Sequence, residues 1–227
     1  MADTTTLAKT AEVFEYRGVD NLVYAKITKD GDNYEVGTPV KLAYVAEIGK
    51  TVETNSETKF YDNKPLIVLN SEGATTLTIT CAPVALDVLA EITGKTYDST
   101  NKAMIEGVRD FSRNFALGYR TRDTRGFYRY VWYLKGSFGV PDETFATENA
   151  GTETNNMTLT YTAVMTEHEF KDEIGGVVAG SVKSIIMADD KTTQIDKTKF
   201  FENVVTPKTA KIETLKIGAA TGGTTTT

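Results

Sequence analysis

Two stretches of the chain alternate apolar and polar residues with a period of two. In Thr76–Cys81, Leu77, Ile79 and Cys81 point to one side and Thr76, Thr78 and Thr80 to the other. In Met157–Met165, Met157, Leu159, Tyr161, Ala163 and Met165 share a face opposite Thr158, Thr160 and Thr162. Successive side chains of a strand leave opposite faces of a sheet, so this alternation predicts half-buried antiparallel strands. Leu22–Thr28 predicts another, running through a turn at Lys29–Asn33 into Tyr34–Val36. Val40–Ile48 places Val40, Leu42, Tyr44, Ala46 and Ile48 on one face. Phe115–Thr121 and Phe127–Leu134 flank Arg122–Gly126, a second hairpin signal. All these pairings are local, as in a meander.

One segment changes period. Pro83 stands where a first-turn proline is tolerated, and Ala85, Val88, Leu89 and Ile92 follow at i, i+3, i+4 and i+7. Gly94 supplies a C-cap, so a helix is predicted over Pro83–Gly94. A lone amphipathic helix among seven or more strands must bury its stripe against the sheet. The fold class is therefore mainly β, a β-sandwich or barrel with one flanking α-helix.

Two stretches fit no compact core. Gly49–Gly73 is long, polar at its start and charged at its tip, and a structureless loop of that length is uncommon in a compact domain. It is read as an extended hairpin arm reaching off the body. The other stretch is everything beyond Glu167. Glu169–Glu173 is charged, Gly175–Ile186 is rich in Gly and Val, and Thr221–Thr227 is of low complexity and reads as disordered. The resulting division is an N-terminal arm at residues 1–17, a β-domain at 18–167 and a C-terminal extension at 168–227. The extension is read as an arm packed on a neighbouring subunit.

Composition narrows the function. The chain has 227 residues and a formal charge of −6, with one Cys (Cys81), one His (His168) and one Trp (Trp132), but 37 Thr. A lone Cys allows no intramolecular disulfide. One His and one Cys supply no zinc site unless carboxylates fill most positions. The start of the chain, MADTTTLAKTAE, has no basic region followed by an apolar run, and no apolar stretch reaches the length of a membrane span. The expectation is a soluble protein from a reducing compartment, without membrane insertion. Its acidity argues against general nucleic-acid coating. The Thr excess fits the solvent side of strands.

Catalytic patterns are near misses. The segment HEFKDE at His168 lacks the second His of a metalloprotease helix, and a loop histidine is the plainer reading. No G-x-S-x-G elbow exists, since Gly180-Ser181-Val182 lacks its flanking glycine. Cys81 falls on an inward strand face, which suits a buried inert thiol. Gly175–Ser181 has the glycine spacing of a phosphate loop, but Ser181 replaces its lysine, which leaves a flexible turn. Asp172-Glu173 and Asp189-Asp190 read as solvated surface, with no apolar bracket to raise a pKa. No cofactor, metal site or enzymatic activity is expected.

The sharpest local feature is arginine. Six of seven lie between positions 109 and 129: Arg109, Arg113, Arg120, Arg122, Arg125 and Arg129. Phe115, Tyr119, Phe127, Tyr128, Tyr130, Trp132 and Tyr133 interleave with them. Two aspartates share that segment, so its formal charge is +4 and the rest of the chain carries −10. Arginine with aromatics is the composition of protein–protein interfaces, and Arg120, Arg122, Arg125, Arg129, Tyr130 and Trp132 are candidate subunit contacts. The plain alternative is aromatics in the core and arginines paired with acids. A third reading is a nucleic-acid-binding β-module using hairpin 109–133 as a stacking platform.

These residues also carry a resemblance. Gly18-Val19-Asp20-Asn21-Leu22-Val23-Tyr24-Ala25 is followed by a short strand pair ending in Thr38-Pro39-Val40-Lys41-Leu42, and then by the helix at 83–94. Phe115-Ala116-Leu117-Gly118-Tyr119-Arg120 comes next, then Tyr128-Arg129-Tyr130-Val131-Trp132-Tyr133-Leu134-Lys135-Gly136, Phe138 and Pro141-Asp142-Glu143. From about Gly18 to Thr166 this order resembles the major tail protein family of bacteriophages with long, non-contractile tails. The resemblance implies a tail-tube subunit of the virion, similar to type VI secretion tube proteins. It implies homohexameric rings stacked into a tube around a tape-measure protein, with tail-tip and tail-terminator partners. Double-stranded DNA would later pass through the tube. A long loop contacts the next ring in such a tube, which makes Lys59, Phe60, Tyr61 and Asp62 stacking candidates. Glu47, Glu53 and Glu57 are candidates for an acidic, DNA-repelling lumen. A secretion-type tube with a protein cargo is a further reading.

Overall fold

The computed structural model describes residues 12–107, 113–143 and 156–217. Arg109 and the tail beyond Ile217 lie outside them. The strands are β1 (Tyr16–Lys29), β2 (Glu35–Val36), β3 (Val40–Lys41), β4 (Val45–Tyr61), β5 (Lys64–Cys81), β6 (Thr96–Asp98), β7 (Ala103–Ile105), β8 (Phe115–Asp123), β9 (Tyr128–Phe138), β10 (Met157–Ala163), β11 (Phe170–Ile174), β12 (Val177–Gly180) and β13 (Ser184–Ala188). Among the described residues three helices join them: α1 (Leu86–Thr93), α2 (Lys197–Glu202) and α3 (Ile212–Leu215). The protein is mainly β. Nine strands form one antiparallel sheet in the order β2-β1-β8-β9-β10-β5-β4, with β13 added on β9 and β3 on β1. The sheet curls until β1 and β4 lie near each other.

The period-two segments became strands with the predicted faces as far as Ala163, where β10 ends and leaves Met165 exposed. The pairing is not the local meander expected: β1 joins β8 and β5 joins β10. Leu77, Ile79 and Cys81 on β5 pair with β10, whose Met157, Leu159, Tyr161 and Ala163 are buried on the same side. Leu117, Tyr119, Val131 and Tyr133 continue that core, and Leu89 and Ile92 of α1 cover it. Two further boundaries differ from the pattern. The helix starts at Leu86, so Pro83 stands in the connection before it; the αL cap at Gly94 (φ 77°) holds. Val40–Ile48 is not one strand: the chain leaves extended pairing after Lys41, and Leu42 enters the core while its N–H bonds the Leu22 carbonyl.

A second core lies on the opposite face. Ala25, Ala116, Tyr130, Trp132 and Leu134 are covered there by Phe170, Ile185, Ile195, Phe200, Val204, Val205 and Leu215. The C-terminal extension to residue 217 is therefore not an arm reserved for a neighbour; it packs on its own sheet, with β13 paired to β9 from Ser184–Tyr133 to Ala188–Arg129. Both faces of β9 are buried for this reason, as in a strand between two layers. The layers approach closely at Gly118, where a Cβ would sit 2.9 Å from the Trp132 ring.

A buried charge cluster ties the extension down. Asp30, in the turn after β1, lies 2.7 Å from the Lys135 ammonium and accepts N–H bonds from Glu167 (3.0 Å) and His168 (2.8 Å). Burial pushes the Asp30 carboxyl up, but those donors and Lys135 outweigh it and hold the group below its ordinary value. A carboxylate depressed on folding stabilises the protein above its unfolded pKa, and that contribution is lost as pH falls through the folded one. The urea midpoint is thus expected to drop below the ordinary carboxylate range, and Asp30→Asn, less stable at pH 7, to show a shallower acid loss. An equal acid slope in both proteins counts against the clasp.

Candidate functional site

The arginine-rich hairpin β8–β9 is positioned by its turn. Asp123 accepts N–H bonds from Arg125 (2.9 Å) and Phe127 (3.0 Å), and Gly126 takes φ 95° to close the loop. Cross-strand pairing from Arg122–Tyr128 to Phe115–Gly136 then sends odd and even positions to opposite cores.

The six contact candidates separate. Tyr130 and Trp132 are 2% and 0% exposed, which corrects their reading as subunit contacts. The Tyr130 hydroxyl donates to the Ile195 carbonyl (3.1 Å) and Trp132 Nε1 to the Phe200 carbonyl (3.1 Å), so both anchor the C-terminal layer. Arg120 makes a two-pronged pair with Asp20 (2.6 and 2.8 Å) and stacks 4.0 Å over the Tyr128 ring. The Asp20 bonds, opposed by burial, raise the Arg120 pKa. Arg125 binds Asp123 and Glu12 and lies 3.8 Å from the Phe14 ring. Arg129 stacks on Tyr16 at 4.3 Å, with its Nε buried and without a hydrogen-bond partner among the described residues. Arg122 stands exposed, 5.6 Å from the Tyr128 ring. As a stacking platform for bases the hairpin lacks open rings at Tyr130, Trp132 and Tyr133, which are internal.

The arm candidates sit elsewhere. β4 and β5 pair from Val45–Cys81 out to Tyr61–Lys64, and Asp62 (φ 49°) and Asn63 (φ 62°) make the two-residue turn. Positive φ at both central positions matches the right-handed twist of the strands and suits Asp and Asn. Beyond Glu53 the hairpin extends about 30 Å at the usual rise per residue. Phe60 is 65% exposed, Tyr61 54%, and Leu66, Ile67, Val68 and Leu69 are all open. Lys59 is ion-paired with Glu57 beside them. Glu47 faces Thr80 across a bulge, and Glu53 lies against Gly73; all three acids are exposed.

The near misses acquire structural roles. His168 is part-buried, its Nδ1 2.8 Å from the Gly31 carbonyl and its ring edge-on to Phe170. Gly175 and Gly176 form the tip of the β11–β12 hairpin with positive φ. Burial raises the Cys81 thiol pKa. Burial also pushes the Asp189 carboxyl up, which corrects its reading as solvated surface; it accepts N–H bonds from Ile195 (2.8 Å) and Tyr128 (3.2 Å). Among the described residues no group of three or more His, Cys, Asp or Glu could hold a metal, and no helix is long and apolar enough to cross a membrane.

Sequence reasoning missed the second core and the Asp30–Lys135 clasp. The signal for the first was present: Tyr130–Leu134 has no polar position, so neither face of that strand meets water. No pattern in the sequence marks the second. Compared with protein families and with curated proteins, the chain matches no family model and no curated sequence.

Proposed function

We propose that this chain is a structural virion protein that self-assembles into stacked rings, six subunits each, forming the tail tube of a long-tailed bacteriophage. The observation that carries the reading is the outer β4–β5 hairpin. Leu66 and Val68 project to one side and Ile67 and Leu69 to the other, so the strand is apolar on both faces. A strand of that pattern is normally covered on both faces, and nothing among the described residues covers this one. The unpaired outer edge of β4, at the end of the sheet, adds a template for another chain. The curled sheet with its flanking α1 suits the tube fold that the sequence resembles. In this reading the hairpin reaches the next ring, the remaining partners are tape-measure, tip and terminator proteins, and the acidic surface lets DNA pass unbound.

Negative-stain microscopy of the concentrated protein, alone and with a nucleating tip complex, tests this. Rings or tubes with a central hole are expected. A protein that stays monomeric under both conditions overturns it.

A further inference from the structure

One charged cluster lies apart from the hairpin arm and both cores. β1 breaks regular pairing with β8 between Tyr16 and Val19 and again between Asp20 and Val23, and Gly18 (φ 88°) and Asn21 (φ 58°) take left-handed backbone there. Bulges of this kind re-aim side chains at a sheet margin. The result is a pocket of about 210 Å³ whose lining includes Arg17, Asp20, Arg120, Arg122 and Tyr128. It carries three guanidinium groups against one carboxylate. Asp20 is engaged with both prongs of Arg120, and Arg120 Cζ lies 4.0 Å over the Tyr128 ring. Arg17 and Arg122 are exposed, and no carboxylate lies within ion-pair distance of either among the described residues.

We propose that this pocket binds a carboxylate, with Arg17 and Arg122 as its recognition groups, and that the carboxylate comes from an Asp or Glu side chain of a second copy of this chain. The Asp20–Arg120 pair displays the geometry such a ligand takes: two parallel bonds in the guanidinium plane. Tyr128 is the shared floor, 4.0 Å from Arg120 and 5.6 Å from Arg122. The volume equals roughly seven liquid waters, enough for one acidic side chain and its solvent. Charge complementarity selects the partner. Outside the segment 109–129 the chain carries 29 acids against 19 bases, so a second copy presents more acids than bases to a basic pocket. A continuous phosphate backbone is disfavoured by Asp20 in the wall. The choice of a second copy rests on the self-assembly reading; the carboxylate chemistry does not.

Two measurements separate these parts. Titration calorimetry at low salt uses a blocked tetraglutamate peptide and a short DNA duplex as probes of the full chain and of Arg17→Ala/Arg122→Ala. The peptide is expected to bind the wild type and to lose at least tenfold in affinity in the double variant, with Arg125→Ala unchanged. No peptide binding, an equal affinity in the double variant, or tighter binding of the duplex overturns the carboxylate site. Sedimentation equilibrium then reads the partner: self-association is expected to weaken at least tenfold in Arg17→Ala/Arg122→Ala and further in Arg17→Glu/Arg122→Glu. Unaltered thermal melts exclude misfolding as the cause. A charge-reversed protein that associates like the wild type overturns the second-copy assignment and leaves the tube reading to microscopy.

Discussion

Trp132→Ala is expected to destabilise the protein by about 3–5 kcal/mol, the range for removing a large aromatic from a core. Against a total stability of about 5–15 kcal/mol for an ordinary domain, such a loss is large. The side chain is fully buried, its ring 5.9 Å from that of Phe201 and directly over Gly118. Truncation opens a cavity between the sheet and the C-terminal layer, and it strips the Phe200 carbonyl of the indole donor. Equilibrium urea unfolding measures the loss. Hydrogen exchange should localise it, with faster exchange across 195–205 and little change in β10 and β5, which belong to the other core. Because Trp132 is the chain's one tryptophan, its emission reports the same burial in the wild type. A cost below about 1 kcal/mol would mean that the second core is not formed.

The second large effect is expected in assembly rather than stability. Replacing residues 57–69 by Asn-Gly joins Ser56 to Asn70, which already face each other across the hairpin, through a two-residue turn of the favoured type. The excised residues contribute no buried side chain, so the thermal midpoint should stay within a few degrees of the wild type. Ring stacking should be abolished, leaving subunits or single rings in place of tubes by microscopy and sedimentation. Tubes of normal length from the shortened protein would remove the arm from the assembly contact. The result also distinguishes the arm from the arginine pocket, since the excision leaves Arg17, Arg120 and Arg122 untouched.

The assigned roles of the arginines show how composition and geometry part company. A cluster of arginines and aromatics in sequence suggested one contact surface. Folding divides it by strand parity: Arg129 shares a face with Tyr133, Arg120 and Arg122 share the other with Tyr128, and Tyr130 and Trp132 go under the C-terminal layer. An aromatic ring of the chain then lies close to each of the four outer arginines, from 3.8 Å at Arg125 to 5.6 Å at Arg122.

The strands and their inward faces were legible in the sequence alone. Period two at Leu77–Cys81 and Met157–Ala163, the αL glycine at 94 and the hairpin turns are local signals, and local sterics enforce them wherever the segments pack. The need for a second layer was latent there too, in the unbroken apolar run at 130–134. Which segment supplies that layer follows from the fold alone, because Phe200, Val204 and Val205 reach Trp132 across some seventy residues of chain. The same holds for Asp30 with Lys135 and for Arg17 with Arg122. Pairing between distant residues depends on register, bulges and sheet curl, and no local pattern encodes the sum of these.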